Sequence, residues 1–88
     1  MKDIKEPEFY RTAPLSALTV TDLTDALGVQ RAVELLNTSA RSIYTVRHTD
    51  RVGIDRQLRL IRAVEQDEAA CRERLVVLRT RQHAARAK

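Results

Sequence analysis

The residues able to act as nucleophile, base or metal ligand are scattered along this chain. Ser42 has no His or Cys at a spacing that would activate it. His48 has no second His nearby, His83 lies close to the far end, and Cys71 is the only cysteine, so neither a metal cluster nor an internal disulfide is expected. With no Gly-rich phosphate loop either, the sequence reads as a non-enzyme without metal or cofactor. The chemistry that remains is hydrogen bonding by a cluster of polar residues, Ser39, Ala40, Arg41, Tyr44, Thr45 and His48, which spacing places on the outer side of one short helix. The Arg41 fork matches guanine O6 and N7 together, and Tyr44 and Thr45 have the reach and chemistry for a base edge or a thymine methyl. Gln30, Arg31, Arg47 and Arg51 flank that helix as candidates for phosphate, Gln30 standing at a helix N-terminus, where anions are favoured.

Such a reading helix must be held by a second one. The segment 30–48 is expected to be a helix-turn-helix. Ala32, Val33, Leu35 and Leu36 form the apolar side of a short helix over about 30–36. Asn37 stops it, as the residue next best to Gly for a left-handed turn, and Ser39 caps a further helix over about 40–47 anchored by Ile43 and Val46. A preceding helix begins near Thr19 or Thr21, with Thr21 as a capping oxygen and Asp22 in its first turn. Its apolar face is Leu18, Leu23, Ala26 and Leu27, and it ends at Gly28. Leu23, Leu27, Leu35, Leu36, Ile43 and Val46 are the expected core.

From Leu18 to about Val52 the sequence resembles the phage Cro-type repressors, through the run Leu18-Thr19-Val20-Thr21-Asp22-Leu23, the glycine at 28 and an ungapped interval from Gly28 to Ile43. Asn37 stands where Gly is usual in that group, Val33 where a small residue is preferred and Thr38 where an apolar one is usual. The resemblance covers about 35 of the 88 residues. It implies binding of a double-stranded DNA operator as a dimer, with the third helix in the major groove, and a phage or prophage regulator, most directly a repressor, acting in the bacterial cytoplasm. After Val52 the resemblance stops: Cro-type proteins continue as a strand, and this chain does not.

The rest of the chain is read around that centre. The formal net charge is +4. Residues 1–28 carry three basic and five acidic side chains, 29–53 four and two, and 54–88 nine and five, so the basic excess begins with the helix-turn-helix. No apolar run is long enough to span a bilayer, and the first residues do not form a signal peptide. Low aromatic content argues against a deep pocket for a small-molecule substrate. Three segments are expected: a flexible N-terminal arm (1–14) with Phe9 and Tyr10 covering the core edge, the helix-turn-helix core (15–53), and a C-terminal segment (54–88) with a frayed tail.

The expected fold is all-α. Ile54, Leu58, Ile61, Val64, Cys71, Leu75 and Leu78 fall near one stripe of a single helix over about 54–81, in which 65–68, without a large apolar residue, has room for a kink or a break. A helix with that stripe, about 37 Å long, outruns a three-helix domain. Val64, Cys71, Leu75 and Leu78 are therefore expected to form a dimer interface, with higher oligomers open. The alternative is a protein-interaction module, such as an anti-activator or an assembly adaptor, that binds its partner through this helix.

Overall fold

The computed structural model describes residues 5–86; residues 1–4 and 87–88 lie outside it. The described residues form helices α1 (Pro7–Thr12), α2 (Val20–Leu27), α3 (Val29–Leu36), α4 (Ala40–Thr49), α5 (Ile54–Gln66) and α6 (Glu68–Arg86), with a 3-10 turn at Leu15–Ala17 and no strand. α2 is the hub: it packs against α3, α4, α5 and α6, while α1 lies along α6. Leu23, Ile43, Leu60, Val64 and Leu75 are the fully buried large apolar residues.

The helix boundaries follow from single residues. Thr19 caps α2: its hydroxyl accepts from the Asp22 N–H at 3.1 Å and the Asp22 carboxylate accepts from the Thr19 N–H at 3.0 Å. The capping residue is thus Thr19 and not Thr21, whose hydroxyl donates to the Arg47 carbonyl. Gly28, at φ 94°, ends α2 and starts α3 within one residue, a backbone conformation that a side chain adopts only with strain.

The residues expected to form a flexible arm are folded in part. Pro7, which already lacks the N–H that a first helical turn leaves unbonded, opens α1. Tyr10 and Ala13 enter the core, and Phe9 packs on its edge with its ring perpendicular to that of Tyr10. Arg72 of α6 secures this helix by donating to the Tyr10 carbonyl at 3.0 Å and the Ala13 carbonyl at 2.7 Å, and Arg11 pairs with Glu73. Arg74 likewise donates to the carbonyls of Ala26 and Leu27 at the end of α2. Two arginines of α6 therefore satisfy carbonyls that helix ends leave open.

The single C-terminal helix is broken at Asp67 (φ −146°, ψ 56°). Unbroken, residues 54–86 would extend about 50 Å, against a longest molecular dimension of 38 Å. The break lets α6 fold back across α1 and α2. It also changes the phase of burial: α5 turns Leu60, Ala63 and Val64 into the core, leaving Ile54 and Leu58 exposed. Of the expected stripe on α5, Val64 is buried and Ile61 packs against the core, while Ile54 and Leu58 face outward and Leu60 and Ala63 take the core positions instead. On α6, Cys71, Leu75, Val76 and Arg79 are buried, and helix continues through 83–86, where fraying was expected. Burial pushes the Cys71 thiol above its ordinary pKa, more strongly than Arg74 lowers it.

Candidate nucleic-acid interface

α3 and α4 are joined by a left-handed turn and a serine cap. Asn37 sits in the left-handed region (φ 50°, ψ 53°), and the N–H groups of Asn37 and Thr38 return to the carbonyls of Glu34 and Val33. Ser39 caps α4, its hydroxyl accepting from the Ser42 N–H at 3.1 Å. Ala32 and Ile43 are fully buried at this junction. Replacing Asn37 with Gly is expected to leave the melting temperature nearly unchanged. Asn37→Val is expected to cost about 1–3 kcal/mol, because a β-branched residue enters this conformation only under strain. Thermal unfolding of the two variants checks this, and equal stability would mean that the turn does not depend on that backbone conformation.

Ile43 is the only buried residue of α4, with Val46 and Arg47 half-buried. The six residues assigned to base reading, Ser39, Ala40, Arg41, Tyr44, Thr45 and His48, are all exposed. Arg41, Tyr44, Thr45 and His48 recur at helical spacing on one face. Tyr44 is the most exposed aromatic residue, at 58%. Ser39 is occupied as the cap and by a bond to the Ser42 hydroxyl. The Thr45 hydroxyl donates to the Arg41 carbonyl, so its proton is committed within the helix.

The four phosphate candidates separate. Arg31 and Arg51 are exposed and make no side-chain hydrogen bond or ion pair among the described residues. Gln30 is exposed at the start of α3, its amide 3.4 Å from the Glu34 carboxylate. Arg47 does not belong with them. Its guanidinium turns inward to Asp25 at 2.7 Å and lies 5.9 Å from the centre of the Tyr44 ring. It ties α4 to α2.

That tie belongs to a larger cluster. Arg79, 4% exposed, donates to Asp22 at 2.7 Å and lies 2.9 Å from Asp25, with Gln82 as a further acceptor. These carboxylates raise the Arg79 pKa above its ordinary value, against a burial effect that is the largest single influence and lowers it. Beside this cluster, Asp50 accepts from the Val20 N–H and Thr21 donates to the Arg47 carbonyl, so the end of α4 is fastened to the beginning of α2. Asp50 is itself left-handed, at φ 55°. None of this was read from the sequence. The available signal was Arg79 itself, an arginine four residues after Leu75 and eight after Cys71, on the apolar side of α6.

The dimer residues are not assembled into a surface. Val64, Cys71 and Leu75 are buried within one chain, and only Leu78, half-buried, remains near an opening, beside Val29 and Val77. The physical reason is the break at Asp67, which turns the second half of the stripe back onto α2. No helix among the described residues is long and apolar enough to cross a membrane. No protein-family model matches the chain, and no curated protein or solved structure is detectably similar to it.

Proposed function

We propose that this chain is a sequence-specific DNA-binding regulator of transcription, a repressor rather than an enzyme, that lays α4 in the major groove of an operator and acts as a homodimer on a pseudo-palindromic site. One observation carries the reading. α4 follows a left-handed turn and a serine cap, buries one residue, and presents Arg41, Tyr44, Thr45 and His48 together to solvent. Arg41 is the base-reading residue, Arg31 and Arg51 are the phosphate contacts, and Arg47 acts from behind by holding Tyr44. The resemblance to the phage Cro-type repressors supports the same reading and extends it to a phage or prophage origin.

Selection of random duplex DNA on the purified protein tests it. The expected outcome is an enriched two-fold motif and an affinity that falls steeply with salt as phosphate contacts release counterions. Arg41→Ala is expected to lose about 1–3 kcal/mol of discrimination at one base pair, while Arg51→Ala weakens all sequences about equally. Competition on single-base operator variants separates the two. No binding even at low salt would overturn the proposal in favour of a protein partner.

A further inference from the structure

With Cys71 and Leu75 buried inside the chain, the two-fold partner that the proposed operator binding requires must dock elsewhere. Beside the opening at Val29, Val77 and Leu78, where Val77 is 39% exposed, α5 carries a second apolar surface that the core leaves out: Ile54 is 75% exposed, Leu58 is 42% exposed, and Ile61 is half-buried between them and the core. At 3.6 residues per turn these three side chains fall within about 60° of arc, roughly a third of a turn from the core-facing Leu60, Ala63 and Val64. A contiguous apolar stripe on the outside of a small protein marks a contact surface.

The charges beside the stripe identify the occupant. One flank of it borders the core. The other carries Asp55 near the start of α5 and Arg62 two turns later, both exposed and about 20° apart around the helix axis. Two copies of α5 packed antiparallel about a two-fold at Leu58 bring this flank against itself. Asp55 of each copy then faces Arg62 of the other, so two ion pairs close over the Leu58 contact. A parallel pair would instead set the charged flank against the core-facing side of the other helix, where no opposite charge answers it.

We propose that α5 is a homodimerisation helix, with a second copy of this chain packed antiparallel on Ile54, Leu58 and Ile61 and Asp55 paired with Arg62 of that copy. The interface is isologous, as a two-fold requires. It rests on the reading above for its purpose, while its geometry comes from α5 alone. Because α5 follows α4 after only four residues, 50–53, the same two-fold relates the two α4 helices. An interface made by a helix about 20 Å long is small, so the dimer dissociates on dilution.

Sedimentation of the full chain without DNA, over a concentration series, tests this. Wild type is expected to pass from monomer to dimer. Leu58→Glu and Ile54→Glu, both at exposed positions, are expected to remain monomeric with unchanged helical circular dichroism. Asp55→Arg and Arg62→Asp are each expected to weaken the dimer several-fold, and the double reversal to restore it. A wild type that stays monomeric would overturn the proposal, as would a dimer indifferent to Leu58→Glu and abolished by Val77→Glu on α6. Failure of the double reversal to restore would overturn the antiparallel register. A dimer that forms as described but binds no DNA would sink the operator reading and leave this one standing.

Discussion

Arg79→Met is expected to remove about 3–5 kcal/mol of stability, the usual cost of deleting one member of a buried ion-pair network. A domain of this length has roughly 4–13 kcal/mol in total, so the variant should be partly unfolded at room temperature or melt far below wild type. The cost arises from what remains. Asp22 and Asp25, with side chains 11% and 13% exposed, keep their charges and lose their shared cation, and Asp25 is left with Arg47 alone. The guanidinium also leaves the Tyr10 ring, which it approaches to 5.2 Å. Urea unfolding measures the loss. Converting both aspartates as well, in Asp22→Asn/Asp25→Asn/Arg79→Met, is expected to recover a large part of it, because an amide at 22 can still accept the Thr19 N–H and no unpaired carboxylate remains. A single Arg79→Met with wild-type stability would mean that the cluster contributes nothing net.

Leu75→Glu is expected to abolish the cooperative unfolding transition altogether. Leu75 is fully buried, and a carboxylate there would have no partner in an apolar setting. Leu75→Ala, which leaves only a cavity, is expected to cost about 2–5 kcal/mol. Leu58→Glu changes the same residue type at an exposed position and, at a concentration where wild type is monomeric, should leave stability within about 0.5 kcal/mol. Circular dichroism during denaturation distinguishes the three. A folded, monomeric Leu75→Glu protein would show that Leu75 faces a partner, as its place on the expected stripe suggested, and not the core.

The α2–α4 boundaries are legible in the sequence because their determinants are local. Gly28, Asn37 and Ser39 each act through their own backbone or through one nearby hydrogen bond, so their residue types suffice to locate two helix ends and a cap. The buried pair Ala32 and Ile43, and the exposed row Arg41, Tyr44, Thr45 and His48, then follow from helical periodicity. Where the determinants are distant, the sequence misleads. Helix α5 has two apolar faces, Ile54-Leu58-Ile61 and Leu60-Ala63-Val64, and periodicity alone does not say which meets the rest of the chain. Residues 65–68 signalled a weak point, but not that the chain would fold back there.

The arginines show the same division. Arg41, Arg47 and Arg51 look alike in sequence, all within or beside one helix, yet only Arg47 turns inward, because Asp25 lies on a helix that packs there. Glu68 and Arg72, four residues apart on one helix, form an ion pair at 2.8 Å, as that spacing favours. Glu73, with no basic residue at that spacing on its own helix, finds Arg11 sixty-two positions away. Polar and holding both prolines, the N-terminal residues have the composition of an arm, although a proline at a first helical position favours the helix found there.

The clasp of α6 over α1 and α2 bears on how α3 and α4 can be inherited or cut. α2 supports both α3 and α4, and α2 is itself covered by α6 through Leu75, Val76 and the carbonyl bonds of Arg74. A nascent chain ending after α4 therefore has the residues of α3 and α4 but not the helix that covers the α2 they lean on. At about 5–20 residues per second, seconds pass between synthesis of α2 and arrival of the helix that covers it, and closing a loop that long carries an entropic cost met only then. The α3–α4 pair is consequently not a detachable cassette: a chain cut short between α4 and α6 is expected to lose the support that both helices take from α2.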